Sequence, residues 1–201
     1  MTYKIGLTGG IACGKTVVSG FFAEQGVPVL DTDVISRKLT APNSSLLPLL
    51  AIRFGQEILQ PDGSLNRRAL RLKVFGDPAA LADLNSLMHP AILNQLAFDF
   101  AKIEAPYALI VVPLLFELKL EYLVQRILVC DAPREVQFTR LITRDGISEE
   151  VALAMLNSQA SREYRRAHAD DLLETDGKPL PETRAAVIKL HYKYLKIAPQ
   201  Q

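Results

Sequence analysis

Ten residues near the start of the chain, LTGGIACGKT (7–16), restrict what it can fold into more than any other stretch. Gly9, Gly14, Lys15 and Thr16 stand at the spacing G-x-x-x-x-G-K-[ST]. Glycines let the backbone curl until successive N–H groups face a set of anionic oxygens, and a helix starting at Lys15 adds the positive end of its dipole. The Lys15 ammonium then reaches β- and γ-phosphates, and the Thr16 hydroxyl is placed for Mg²⁺. Such a loop needs a strand running in and a helix running out. Here YKIGL (3–7) reads as the strand, and Val17, Val18, Phe21 and Phe22 form the apolar face of the helix. We read a phosphate loop, with Gly9, Gly10, Ile11, Ala12, Cys13, Gly14, Lys15, Thr16 and Val17 as its nucleotide-binding residues.

The rest of the chain repeats that alternation. VPVL (27–30), YALIVV (107–112), RILVC (126–130) and DLLE (171–174) read as further strands, and all but the last are apolar nearly throughout. That pattern suits parallel strands covered on both faces. Leu81, Leu84 and Met88 make one helical stripe, and Leu93, Leu96 and Phe100 make a second. Pro90 is expected to separate them, because the residue before a proline is pushed out of the α region. Ala185, Ile188, Tyr192 and Leu195 mark a terminal helix. The expected class is α/β, a doubly wound parallel sheet flanked by helices. About 75 residues lie between the second and third strands, far more than one crossover helix requires. We therefore expect one domain, with its core at 1–39, 106–139 and 169–201. A helical substrate-binding insertion at about 40–105 and a lid at about 140–168 complete it.

Acidic and basic side chains suggest chemistry beyond holding phosphate. Asp31 and Asp33 follow the second strand, at the carboxyl edge where ligands of parallel sheets bind. Asp31 is read either as a helix cap or as a carboxylate near the metal, and Asp33 as the acceptor of an attacking hydroxyl's proton. Asp131 precedes Ala-Pro-Arg and is expected to cap the helix that Pro133 opens. Gln137, Arg140 and Arg144 recur at i, i+3, i+7, and so do Gln159, Arg162 and Arg166, with Arg165 beside them. Arginines clustered on a helical excursion suit a lid closing on phosphates. For Cys13, a thiolate favoured by Lys15 and a helix N-terminus stands beside a plain small residue between glycines. Cys130 reads as core. His89 reads as a cap or a core residue, and Glu117, after an apolar run, needs a partner that is either substrate or protein.

Over its full length the chain resembles the dephospho-coenzyme A kinase family. The resemblance is carried by LTGGIACGKT, VLDTDVISR, DGSLNRRALR, LNSLMHPAI, VVPLLFE, TRLITRD and QASREYRRAHADDLLETDG. It implies a P-loop kinase core, a helical substrate region and a lid, with ATP and Mg²⁺ as cofactors and dephospho-coenzyme A as the acceptor, phosphorylated on its ribose 3′-hydroxyl. On that pattern Asp33 positions the acceptor hydroxyl, and Lys15 and Arg140 act on the transferring phosphoryl group. Arg144 and Gly177 contact the nucleotide, while His89, Leu115, Glu117 and Arg162 line the acceptor site. Two departures stand out. Ala12-Cys13 replace a usual Gly-Ser, at a cost to loop flexibility because alanine reaches positive φ less easily. Thr175-Asp176 stand where Asn is commoner before Gly177, which leaves the adenine-side contact open.

Composition excludes several other classes. A formal net charge of +1 gives no global pull toward nucleic acid, and two cysteines are too few for a disulfide framework. The longest apolar run, YALIVVPLLF (107–116), holds a proline and falls short of a membrane span. No signal peptide is expected ahead of the first strand. A cytoplasmic monomer or weak homo-oligomer, acting on a small molecule without nucleic acid or membrane, is the expectation. Another small-molecule kinase is the nearest rival. A guanine-nucleotide switch calls for N-K-x-D and D-x-x-G segments, and the sequence has neither.

Overall fold

A computed structural model describes residues 2–177 and 179–199. They form two compact units: Thr32–Lys102, and the segments that precede and follow it.

The discontinuous unit is built on a parallel five-stranded sheet ordered β2-β3-β1-β4-β5. Its strands are β1 (Tyr3–Gly9), β2 (Val29–Asp31), β3 (Tyr107–Val111), β4 (Arg126–Asp131) and β5 (Asp171–Glu174). Every residue of β3 is buried, as its unbroken apolar run requires, whereas the edge strand β5 alternates buried and exposed. β2 begins two residues later than the run VPVL suggests. The Pro28 carbonyl does accept the Leu109 N–H at 2.9 Å, but proline has no N–H with which to extend the ladder. From β1 the chain passes to β2 and β3 on one side, then crosses to β4 and β5 on the other. Ligands of such sheets bind where that order reverses, at the carboxyl ends beside β1.

Helices α1 (Lys15–Glu24) and α9 (Leu180–Ile197) pack together against this sheet. Phe22 stacks on Tyr194 with ring centroids 6.0 Å apart, and Tyr107 meets the same tyrosine edge-on at 5.6 Å. The Tyr194 hydroxyl is satisfied at depth by Asp171 Oδ2, 2.9 Å away. Arg126 Nε also donates to that carboxylate at 2.7 Å, and Lys193 forms an ion pair with it. Burial pushes the Asp171 carboxyl up, but the hydrogen bonds from Arg126, Lys193 and Tyr194 outweigh it and leave the group below its ordinary 3.8. One carboxylate thus ties β4, β5 and α9 together. The Tyr107 hydroxyl on β3 and His191 Nδ1 on α9 bond at 2.7 Å, and burial pulls the imidazole down from 6.5.

Between β4 and β5 lie α6 (Arg134–Asp145), α7 (Glu149–Asn157) and α8 (Arg162–Ala167). Leu141, Ala152 and Leu156 bury the contact of α6 with α7. Gly146 ends α6 at φ 61, Ser148 caps α7 through the Val151 N–H, and Ser161 caps α8 through the Tyr164 N–H.

The second unit is helical: α2 (Thr32–Leu39), α3 (Leu46–Phe54), α4 (Arg67–Val74) and α5 (Pro78–Phe100). Leu46, Leu47, Leu50, Phe54, Ile58, Leu65 and Leu70 form its core. Asn66 caps α4 through the Ala69 N–H, and Asp77 caps α5 through Ala79 and Ala80 with Pro78 in the first turn. The expected break at Pro90 does not occur, and α5 runs through it for 23 residues. A proline costs one helical hydrogen bond and some crowding. Leu84, Leu87, Met88 and Ala91 pack on the core from both sides of it, and that packing keeps the helix whole. No helix among the described residues is long and apolar enough to cross a membrane.

Asp171→Ala leaves Arg126, Lys193 and Tyr194 without their shared acceptor. Losing one partner of a buried ion pair costs about 3–5 kcal/mol, which is roughly 6–20 °C of melting temperature in a domain of this size. Thermal melts at pH 7 should show that drop. Because the native carboxyl lies below 3.8, its contribution is present at neutral pH and fades as acid protonates it, so the gap to wild type should narrow below about pH 4.

Candidate active site

β1 ends at Gly9, and α1 begins at Lys15. The turn between them uses positive φ at Gly9 (148°), Ala12 (59°) and Gly14 (80°). A side chain on Gly9 would collide with the Cys130 carbonyl of the neighbouring strand, so this position excludes a Cβ on both counts. Ala12 is the departure noted in the sequence, and it takes the left-handed conformation that glycine would take more easily. Such a residue costs about 1–2 kcal/mol relative to glycine, and it persists because its surroundings hold it.

Those surroundings are specific. Arg140 on α6 donates to the Ala12 carbonyl at 3.1 Å and to the Thr175 carbonyl at 2.5 Å. The Thr175 hydroxyl donates to the Cys13 carbonyl at 2.8 Å, and Gln137 donates its amide to the Cys13 sulfur. Ile11 and Ala12 also lean on the apolar contact between α6 and α7. The Lys15 ammonium donates to the carbonyls of Gly9 (2.8 Å) and Gly10 (2.9 Å). Thr16 follows in the first turn of α1 with its side chain exposed.

Cys13 is 1% exposed and belongs to the core. Of the two readings open for it, the small enclosed residue is the one that fits. Cys130 is also buried, and burial pushes its thiol up to about 12. Beside the loop is a pocket of about 290 Å³ walled by Ala12, Val17, Arg140, Arg144, Thr175 and Leu180. Arg144 also holds Asp145 at 2.7 Å. Gly177 turns the chain after β5 at φ 61, while the wall that this segment gives the pocket is Thr175.

Asp131 does not cap α6, whose N-cap is Pro133 with no side-chain bond. Its side chain is 2% exposed and grips Arg162 through two bonds, at 2.8 and 2.9 Å, and Arg166 through a third. Burial alone would raise this carboxyl, but the two guanidinium groups bring it below 3.8. Two arginines on one face of α8 are therefore fastened to the end of β4. Gln159 is not on that helix face: it lies in a bend before α8, and its Oε1 accepts the Ile11 N–H at 2.7 Å. Glu117 Oε1 accepts the Ala160 N–H at 2.9 Å, so its partner is protein backbone. Leu115 is wholly enclosed and presents no side-chain surface to a ligand in this conformation.

Lys15, Arg140, Arg144 and Thr175 thus converge on one loop and its adjoining pocket. Asp33 and His89 belong to the helical unit. Asp33 is exposed in the first turn of α2, two residues beyond the end of β2, and His89 is half-buried midway along α5. Sequence reasoning missed the hydroxyl of Thr175 and the carbonyl of Gln159 as supports of the loop. Gln137 was within reach, since its spacing to Arg140 puts both on one helical face.

A glycine-curled loop leaving the central strand of a 2-3-1-4-5 parallel sheet, with its lysine folded back on it, defines a P-loop kinase. A crystal structure from Thermus thermophilus superposes with a TM-score of 0.82 at 32% identity, covering 95% of this chain and 97% of that one. Shikimate kinase from Acinetobacter baumannii shares the fold alone, at a TM-score of 0.54 and 19% identity over 96% of this chain and 94% of that one. Within that class, the dephospho-CoA kinase family model matches residues 3–180. The dephospho-CoA kinase of Yersinia pseudotuberculosis is 46% identical over 98% of this chain and 96% of its own length. That of Vibrio cholerae is 44% identical over 100% and 99%. The chain belongs to the dephospho-CoA kinase family.

Gly9→Ala forces a Cβ against the Cys130 carbonyl at a backbone angle alanine avoids. Strain of this kind costs about 1–3 kcal/mol before the collision is counted. Calorimetry should show a melting temperature lower by roughly 2–12 °C, and titration with ADP an affinity reduced more than tenfold. An unchanged melt and affinity would mean the loop tolerates a side chain here.

Proposed function

We propose that this protein transfers the γ-phosphoryl group of ATP to the ribose 3′-hydroxyl of dephospho-coenzyme A. The observation that carries the reading is the match of the family along nearly the whole chain, joined to a phosphate loop whose Lys15 and Thr16 are intact. Loop N–H groups and Lys15 hold the ATP phosphates, and the pocket beside Arg140 and Thr175 receives the base. The acceptor oxygen attacks phosphorus in line as the bond to the β–γ bridging oxygen breaks and ADP departs. Asp33 orients that hydroxyl and takes its proton. Arg140 and Arg144 supply positive charge, and His89, Glu117 and Arg162 belong to the acceptor side, with the enclosed Leu115 beneath it. Positioning and electrostatics account for most of the acceleration in this chemistry.

Mg²⁺ fits the residues present. No group of three or more His, Cys, Asp or Glu among the described residues forms a metal cage. The exposed Thr16 hydroxyl at the start of α1 suits an ion that keeps several waters and takes its other ligands from phosphate oxygens. Bound there, the ion would neutralise charge on the β- and γ-phosphates.

Incubating the purified protein with ATP, Mg²⁺ and dephospho-coenzyme A should yield coenzyme A. Lys15→Ala should remove at least 99% of the activity (roughly 10²-fold). Asp33→Asn should lower kcat by about 10²–10⁴-fold while ATP affinity stays within about twofold, since a general base contributes to the chemical step and not to nucleotide binding. Product no greater than the Lys15→Ala background would refute the assignment.

A further inference from the structure

We propose that Gln159 is a positioning residue for Lys15, acting through the peptide group that joins Gly10 to Ile11. In a trans peptide the N–H and the C=O lie in one plane and point in opposite directions. Here the N–H side is held by Gln159 Oε1 at 2.7 Å, and the C=O side holds the Lys15 ammonium at 2.9 Å. The plane cannot turn on one side without turning on the other. Gln159 therefore helps to set the direction of the carbonyl that anchors the catalytic lysine, together with the Cys13 N–H, which donates to the same oxygen at 3.2 Å. Hydrogen bonds at both ends of one peptide also polarise each other.

The other groups around this peptide fit the same role. Gly10 has no side chain, and the space one would fill is occupied by the Gln137 amide and the Arg165 guanidinium, whose NH2 lies 2.8 Å from the Cβ position. Both residues are buried. Gln159 itself sits in a bend whose neighbours are fixed. The Ala160 N–H donates to Glu117, the Ala160 carbonyl accepts from Arg165, and Arg162 and Arg166 bind Asp131. A rigid arm thus reaches from the segment between α7 and α8 to one peptide of the phosphate loop. Without it, the Ile11 N–H loses its acceptor and the peptide is held from the carbonyl side alone, by Lys15 and the Cys13 N–H, so the Gly10 carbonyl is free to tilt away from Lys15.

This inference rests on the loop binding a nucleotide and not on the identity of the acceptor, so ADP is the probe. Gln159→Leu keeps the bulk and removes the acceptor oxygen. Gln159→Asn shortens the arm by one methylene and serves should the leucine variant fail to fold. Gln159→Glu retains an acceptor oxygen at the same reach. ADP affinity should weaken about fivefold to tenfold in the leucine and asparagine variants, the worth of one part-buried hydrogen bond, and stay within about twofold in the glutamate variant. KM for ATP should rise in parallel while KM for dephospho-coenzyme A stays unchanged. Unaltered ADP affinity in the leucine and asparagine variants overturns the proposal. So does a loss that glutamate fails to restore, or a rise in both KM values together. A wrong acceptor would appear differently, as a silent kinase assay with the ADP series intact.

Discussion

The N–H groups of a phosphate loop must face inward to meet an anion, and that one demand shapes much of this molecule. A backbone turned this way leaves carbonyls that need donors of their own, and a polar group left unmet inside protein costs about 1–3 kcal/mol. The fold answers them individually. Gly9 and Gly10 carbonyls go to Lys15, the Ala12 carbonyl to Arg140, and the Cys13 carbonyl to Thr175. These donors come from α1, α6 and the turn after β5, three places far apart in sequence. The strained Ala12 survives because its neighbours are pinned so thoroughly.

Two buried carboxylates tie together neighbouring elements of the same unit. Asp131, at the carboxyl end of β4, fastens α8 through Arg162 and Arg166. Asp171, at the start of β5, fastens α9 through Lys193 and Tyr194, and β4 through Arg126. In both cases burial opposes the charge and the cations prevail, so the carboxylate stays ionised and the geometry stays fixed. Arginines that read as a lid over phosphates are thus partly occupied, in this conformation, in holding the frame on which the loop rests.

Local chemistry was legible where one residue type at one spacing has a single physical use. The strands, the loop and the terminal helix followed from apolar runs, glycines and periodicity. Pro90 misled because its local penalty is real but smaller than the packing on either side of it. Asp131 misled because a carboxylate before Ala-Pro resembles a cap, and nothing local announces two arginines more than thirty residues away. Gln159 has the spacing of a helical face with Arg162, yet it lies in a bend and points to Ile11.

By itself the sequence determined the class of fold, the phosphate loop and the family, because each depends on short-range spacing that backbone geometry reads directly. Only the tertiary structure decided which groups hold the loop's backbone, how Cys13 is enclosed, and where Arg162, Glu117 and Gln159 spend their hydrogen bonds. Those pairings join residues from about 30 to 160 positions apart, and sheet order and helix docking bring them together. No local pattern encodes a contact whose two halves meet only after the strands have been ordered.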